Sequence, residues 1–239
     1  MGLFHRSAPA VHEAQPRFHD GLALVHPRGA KGSFDTNGCL VNELYGYMNI
    51  NGIIVIPAVY AHAHEFSEGL AAVELDNKWG FIDTTGNIVI PAIYMYAGSF
   101  HNGRALVKPS ESTCNFIDAS AKMITPYSFV DAGDFSEGLA AVKTGSEHWG
   151  YIDINATMVI PAVFYDAREF SEGLAAVLVK SPEAYSGKWG YINAKGMMAL
   201  PAVYDEVSEF RNGIAAVSTG RGGDGYPEYY SIDTRGRKC

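Results

Sequence analysis

KWGFIDTTGNIVIPAIY, residues 78–94, decides the fold class because the chain repeats it. It returns as HWGYIDINATMVIPAVF (148–164) and KWGYINAKGMMALPAVY (188–204), and without the Trp as YGYMNINGIIVIPAVY (45–60). TCNFIDASAKMITPYSF (113–129) is a more distant copy. A second block follows each one: EFSEGLAAV (65–73), SFHNGRALV (99–107), DFSEGLAAV (134–142), EFSEGLAAV (169–177) and EFRNGIAAV (209–217). The prolines at 57, 91, 126, 161 and 201 set steps of 34, 35, 35 and 40 residues. A period of that size marks a repeat architecture. At the front, RFHDGLALV (17–25) is a second block without a first; at the back, Tyr230 to Gly236 is a first block without a second. Joined, the two halves make a sixth unit, and GSFDTNGCLV (32–41) leaves room for a degenerate seventh.

The blocks read as strands. WGFID, NIVIP and LAAV are short apolar runs rich in β-branched and aromatic residues and bounded by turn residues. Asp83-Thr84-Thr85-Gly86 joins the first two, with a carboxylate to accept backbone N–H groups and a Gly for positive φ. Ala121 and Ala156 stand in place of that Gly in two units, which costs about 1 kcal/mol wherever φ is positive. The second block turns at Ser-Glu-Gly or a variant of it, a hairpin signal. A Phe lies three residues before its Gly in every copy: Phe18, Phe66, Phe100, Phe135, Phe170 and Phe210. One core position repeated along the structure is expected, worth about 3–5 kcal/mol per buried ring.

Both faces of these strands are apolar, so each sheet must be covered on both sides by neighbours. The Ala pair of LAAV and the Gly after Trp leave room for close approach, and the Pro of NIVIP marks where that strand leaves the ladder. The expected fold is all-β: a propeller-like closed ring of about six units of three short strands each, closed by the N- and C-terminal half-repeats. An open β-solenoid is the alternative.

With its Trp79-Gly80, Trp149-Gly150 and Trp189-Gly190 pairs, the chain resembles WG-repeat proteins over about residues 16–239. The pair is altered to Tyr45-Gly46, Cys114-Asn115 and Tyr229-Tyr230 in the other units. The resemblance implies a bacterial β-rich repeat protein and brings no catalytic assignment with it.

Composition bounds the function. The 239 residues are 47% hydrophobic and 18% charged, as in a globular protein. Eighteen Lys and Arg against 26 Asp and Glu leave a net charge of −8, which disfavours a phosphate backbone as partner. No apolar run is long enough to insert in a membrane as a helix. The first 15 residues, without a signal-peptide core, are read as a mobile tail ahead of a single repeat domain at 16–239. Three cysteines without metal spacing (Cys39, Cys114, Cys239) fit a reducing, cytoplasmic setting.

Candidate binding residues come from loop lengths. From the hairpin Gly to the next Trp-Gly position the distance is 11 or 12 residues in three units. It is 17 after Gly173 and Gly213, and 25 after Gly21. In a closed ring these three long connections are consecutive and form one sector, carrying Tyr185 and Lys188, Arg221, Asp224, Tyr226 and Tyr229, and His26 and Arg28. Tyr and Arg are common interface anchors. Glu68, Glu137 and Glu172 repeat but occupy equivalent hairpin positions, so packing geometry explains them better than paired-carboxylate chemistry. His62 and His64 make half of a metal site with no third ligand in view. No nucleophile, phosphate loop or metal motif stands out, so no enzyme and no cofactor is expected. The expected function is a monomeric, non-enzymatic scaffold for a protein partner, with a multivalent carbohydrate binder as the alternative.

Overall fold

The structure is a computed structural model that describes residues 16–26, 44–126, 128–180, 187–221 and 226–239. The tail 1–15 and the fragment 32–41 lie outside the described residues. Twenty strands form six antiparallel sheets in chain order, with no helix among the described residues. Sheet 1 holds β1 (Leu22–Val25), β2 (Tyr45–Asn49) and β3 (Ile54–Tyr60). Sheet 2 holds β4 (Leu70–Leu75), β5 (Lys78–Asp83) and β6 (Ile88–Tyr94). Sheet 3 is β7 (Tyr96–Ala97), β8 (Ala105–Ser110) and β9 (Thr113–Ile117). Sheet 4 is β10 (Asp131–Ala132), β11 (Leu139–Lys143), β12 (Trp149–Asp153) and β13 (Met158–Phe164). Sheet 5 is β14 (Asp166–Ser171), β15 (Leu174–Val179), β16 (Lys188–Asn193) and β17 (Met198–Tyr204). Sheet 6 is β18 (Glu206–Val207), β19 (Ile214–Arg221) and β20 (Pro227–Asp233).

Each sheet pairs a second block with the first block that follows it, as in Ala72 opposite Phe81 on β4 and β5. The structural unit is therefore shifted by half a period from the sequence frame, and the terminal blocks are not halves. Leu22–Val25 pairs with Tyr45–Asn49, and Pro227–Asp233 pairs with β19, so the two ends do not complete one unit between them. Local hairpin pairing wins because its loop is cheap to close, whereas uniting the termini would close the whole chain. Between β4 and β5 the loop is only Asp76-Asn77, both at positive φ, a tight hairpin turn.

The Trp-Gly pair has a steric basis. The register between β5 and β6 jumps from Trp79–Tyr94 to Phe81–Ile90, a bulge at Pro91 and Ala92. A Cβ on Gly80 would meet the Ile90 carbonyl oxygen at 2.6 Å and the Ala92 nitrogen at 2.7 Å. Gly46, Gly150 and Gly190 face the same bulged backbone at 2.6–2.8 Å. The Pro thus sits within the strand instead of ending it, at a bulge where its missing N–H is not needed. Sheet 3 shows what happens without the Gly. There Asn115 accepts from the Thr125 hydroxyl and donates to Ser128 Oγ (2.9 Å), and the third strand is reduced to bridges at Met123 and Phe129.

Five apolar cores lie between successive sheets, and among the described residues none joins sheet 6 to sheet 1. Each contains the repeated Phe packed edge-on against an aromatic ring of the sheet before: Tyr47–Phe66, Phe81–Phe100, Phe116–Phe135, Tyr151–Phe170 and Tyr191–Phe210, at 4.7–5.0 Å. Phe18 departs from the expectation: it has no preceding sheet to cover it and is 40% exposed.

Hairpin tips tie the sheets into a series. Asp20, Glu68, Asn102, Glu137 and Glu172, all at positive φ, each accept the N–H of the next hairpin's Gly. The links run Asp20 to Gly69 (2.7 Å), Glu68 to Gly103 (2.7 Å), Asn102 to Gly138 (3.2 Å), Glu137 to Gly173 (2.9 Å) and Glu172 to Gly213 (2.7 Å). Ser67, Ser136 and Ser171 add a hydroxyl bond to the carbonyl of the next Phe. At the opposite turns, the side chain at Asn49, Asp83, Asp118, Asp153, Asn193 and Asp233 accepts from N–H groups two and four residues on.

Three substitutions report on stability. Gly80→Ala drives a methyl into backbone and lowers unfolding free energy by about 3 kcal/mol. Gly145→Ala, with nothing within 4 Å of the added Cβ, changes it by less than about 0.5 kcal/mol in the same urea titration. Ala156 sits at φ 62°, so Ala156→Gly raises the urea midpoint, by about 1 kcal/mol of relieved strain.

Candidate binding groove

Before each repeated Phe, a short segment pairs along the second-block strand of its own sheet. The pairs are Ala63–Val73, Ala97–Val107, Ala132–Val142, Ala167–Val177 and Val207–Val217. Ala at four of these positions keeps the backbone tight to the sheet and Val207 takes the fifth, while the two residues after it differ from unit to unit. They read His64-Glu65, Gly98-Ser99, Gly133-Asp134, Arg168-Glu169 and Ser208-Glu209. These variable pairs, not the repeated frame, supply the chemistry of this side.

Three adjoining cavities cross sheets 3 to 6 along these segments. The first, about 310 Å³, is lined by Tyr96, Lys108, Asp134 and Glu169. The second, about 270 Å³, has Gly133, Trp149, Arg168, Glu169 and Glu209 on its wall. The third, about 370 Å³, continues over Arg168, Ser208, Glu209 and Arg211. Shared walls make them one groove.

Its carboxylates are under electrostatic stress. Burial raises the Asp134 pKa above the ordinary carboxylate value, opposed in part by His101, and Asp134 Oδ1 is buried without a hydrogen-bond partner. Burial also raises Glu169, and the Asp134 charge raises it further; its Oε1 accepts the Asp134 backbone N–H at 3.2 Å. Cations nearby are committed: Lys108 to Asp131 (3.3 Å), Arg211 to Glu209 (3.3 Å), and Arg168 to the Val207 carbonyl (2.8 Å) and the Trp189 ring (4.9 Å).

The residues singled out in the sequence fall elsewhere. Tyr185, Asp224 and Arg28 lie outside the described residues. The long connections are hairpin loops within sheets 1, 5 and 6, between β1 and β2, β15 and β16, and β19 and β20, so they do not bridge one unit to the next. Sheets 5 and 6 are neighbours. Lys188 Nζ pairs with Asp205 at 2.5 Å, and the Tyr229 hydroxyl donates to Glu206. Arg221 ends β19 opposite Pro227, and Tyr226 is exposed. Beside them a cavity of about 310 Å³ is lined by Asp205, Glu206, Ser218, Gly220 and Pro227. His26 packs edge-on against Tyr45 (5.7 Å) in sheet 1.

His62 and His64 do share a side, both against Trp79 (6.4 and 4.9 Å), with His62 3.8 Å from Glu74. Among the described residues no three His, Cys, Asp or Glu side chains are placed to hold a metal. Glu68, Glu137 and Glu172 are the hairpin-tip acceptors described above. Cys114 is buried, which pushes its thiol up to about 11. Sequence reading missed the groove, and its one visible signal was the Gly at 98 and 133 where other units carry a side chain.

Small antiparallel sheets repeated in chain order, each covering the last, define an all-β repeat protein. The family model described as WG containing repeat matches residues 45–79, 79–108, 116–146, 149–181 and 189–221, and the chain belongs to that family. No curated protein matches the chain. Among solved structures, the computationally designed Ika8 protein is similar over 93% of this chain and 71% of its own, at 11% identity and TM-score 0.53. A eukaryotic initiation factor is similar over 81% of this chain, at 14% identity and TM-score 0.55. The acylaminoacyl peptidase of Pyrococcus horikoshii is similar over 95%, at 14% identity and TM-score 0.50. This chain spans 59% and 45% of those last two, and at such identities the likeness is one of fold.

The raised Asp134 pKa fixes the sign of a pH effect. As pH rises through the unfolded value, about 4, the unfolded chain ionises first and the folded state loses stability until its own higher pKa is passed. Asp134→Asn is therefore more stable than the parent at neutral pH. The gap between their urea midpoints closes as pH falls toward about 4.

Proposed function

We propose that this protein is a monomeric, non-enzymatic repeat scaffold that holds a protein partner at the loop ends of sheets 5 and 6. The observation that carries the reading is that two long connections, from Val179 to Lys188 and from Arg221 to Pro227, each join paired strands of adjacent sheets. Lys188 and Tyr229 at their feet are held by Asp205 and Glu206 beside a cavity of about 310 Å³. Loops on a rigid repeat scaffold are where binding surfaces concentrate. The repeated carboxylates that would otherwise suggest hydrolytic chemistry are used as hairpin-tip acceptors, one per sheet.

In this reading the six sheets stand as an open row and not as a closed ring. Five cores for six sheets support it, as do the exposed Phe18 at one end and the exposed Ile214 at the other. Ser231 occupies the place where Phe81, Tyr151 and Tyr191 receive the next Phe, so the last sheet offers no socket. His26 and Arg28 then belong to the far end of the row and form no part of the same surface.

The test replaces 181–186 and 222–225 with a two-residue turn like Asp76-Asn77 and compares affinity capture from cell lysate with that of the parent. Capture of the specific partner falls roughly 10-fold or more while the melting temperature holds. Unchanged capture by the trimmed, folded protein would discard the loop surface.

A further inference from the structure

The repeat contains its own precedent for what fits over its tryptophans. In sheet 5 the residue after Ala167 is Arg168, and its guanidinium lies 4.9 Å over the Trp189 ring. In sheet 2 the residue after Ala63 is His64, and its imidazole lies 4.9 Å from Trp79. Registers are the same in sheet 4: Ala132 opposite Val142, Val142 opposite Gly150 and Lys143 opposite Trp149. There the residue after Ala132 is Gly133. No side chain of its own sheet fills that position over the indole, and the cavity of about 270 Å³ opens there instead.

Its walls carry two carboxylates, Glu169 and Glu209, and one guanidinium, that of Arg168. Glu169 Oε1 would lie 3.4 Å from a Cβ at Gly133 and Glu209 shares the wall, while Asp134 Oδ1, buried without a partner, faces Gly98 in the adjoining cavity. The cations in reach are Arg168, engaged by Trp189 and the Val207 carbonyl, and Arg211, engaged by Glu209. His101 is the remaining basic group acting on both Asp134 and Glu169.

We infer that the Trp149 face above Gly133 is a receptor site for a guanidinium group, supplied by an arginine side chain of a bound peptide. A planar, weakly hydrated guanidinium stacks on an indole, and its N–H fork matches a carboxylate such as Glu169. It takes the place Arg168 takes one sheet further on, and it brings positive charge to Glu169, which burial and the Asp134 charge both disfavour as a carboxylate. None of these residues lies in the hairpin loops proposed for partner capture, so the two surfaces stand or fall separately.

The test titrates acetyl-Gly-Arg-Gly-amide into the full chain by calorimetry, beside the peptide with citrulline in place of arginine. Citrulline keeps the shape and loses the charge. The arginine peptide binds saturably, and the citrulline peptide binds at least about 10-fold more weakly. Gly133→Arg fills the site from within, as Arg168 does in sheet 5, and abolishes binding while the melting temperature stays near that of the parent. Glu169→Gln leaves the backbone untouched and weakens binding about 10-fold. The site is overturned by absence of saturable binding to the parent, by equal binding of the citrulline peptide, or by undiminished binding to both variants.

Discussion

Four of the six sheets are arranged around a missing methyl group. The backbone of each long outer strand bulges at its Pro and crosses the first-block strand so closely that only hydrogen fits on the facing Cα. Gly46, Gly80, Gly150 and Gly190 meet that requirement, and their four sheets have the full seven-residue outer strand. Pro suits the bulge because it has no N–H to leave unpaired, and the bulge suits Gly because the carbonyl must pass over it. The dipeptide and the proline eleven residues later are two sides of one contact. Asn115, in place of the Gly, loses that strand and makes two side-chain hydrogen bonds instead.

Stacking follows from strand alternation. Residues of the two central strands bury alternately on opposite faces, so a sheet is only half a core by itself. Ala72 and Phe81 join the next sheet, while Val73 and Ile82 join the one before. The polar links have a direction as well: each hairpin tip accepts from the following Gly, and each Ser hydroxyl reaches the following Phe carbonyl. Left-handed backbone at a Glu costs about 1 kcal/mol, and a charge-assisted bond to the next sheet offsets it.

Chemistry enters where the repeat departs from itself. The frame positions are occupied by packing or by tip bonds, and the groove takes its character from the two variable residues before each Phe. Where one of them is Gly, the neighbouring sheet's carboxylate moves in: Asp134 against Gly98, and Glu169 against Gly133. Glu169 is long enough to accept a backbone N–H. Asp134 is one methylene shorter, and its inner oxygen has no partner.

Sequence alone determined the strands, the turns and the repeat, because hydrophobic alternation, Asx turns and Gly-closed hairpins are local and each unit states them again. Positive φ at Ala121 and Ala156 and the buried ring at Phe66, Phe100, Phe135, Phe170 and Phe210 were legible in the same way. Where one unit ends was not. Two blocks that alternate along a chain can be grouped in either order, and hydrogen bonding across the two-residue turn at Asp76-Asn77 chose the order that leaves no halves to join. The exposure of Phe18 depends on that choice, since a ring is buried only when another sheet stands in front of it. The groove belongs to tertiary structure for a related reason: Gly133, Trp149 and Glu169 are far apart in sequence and meet only once two sheets are stacked.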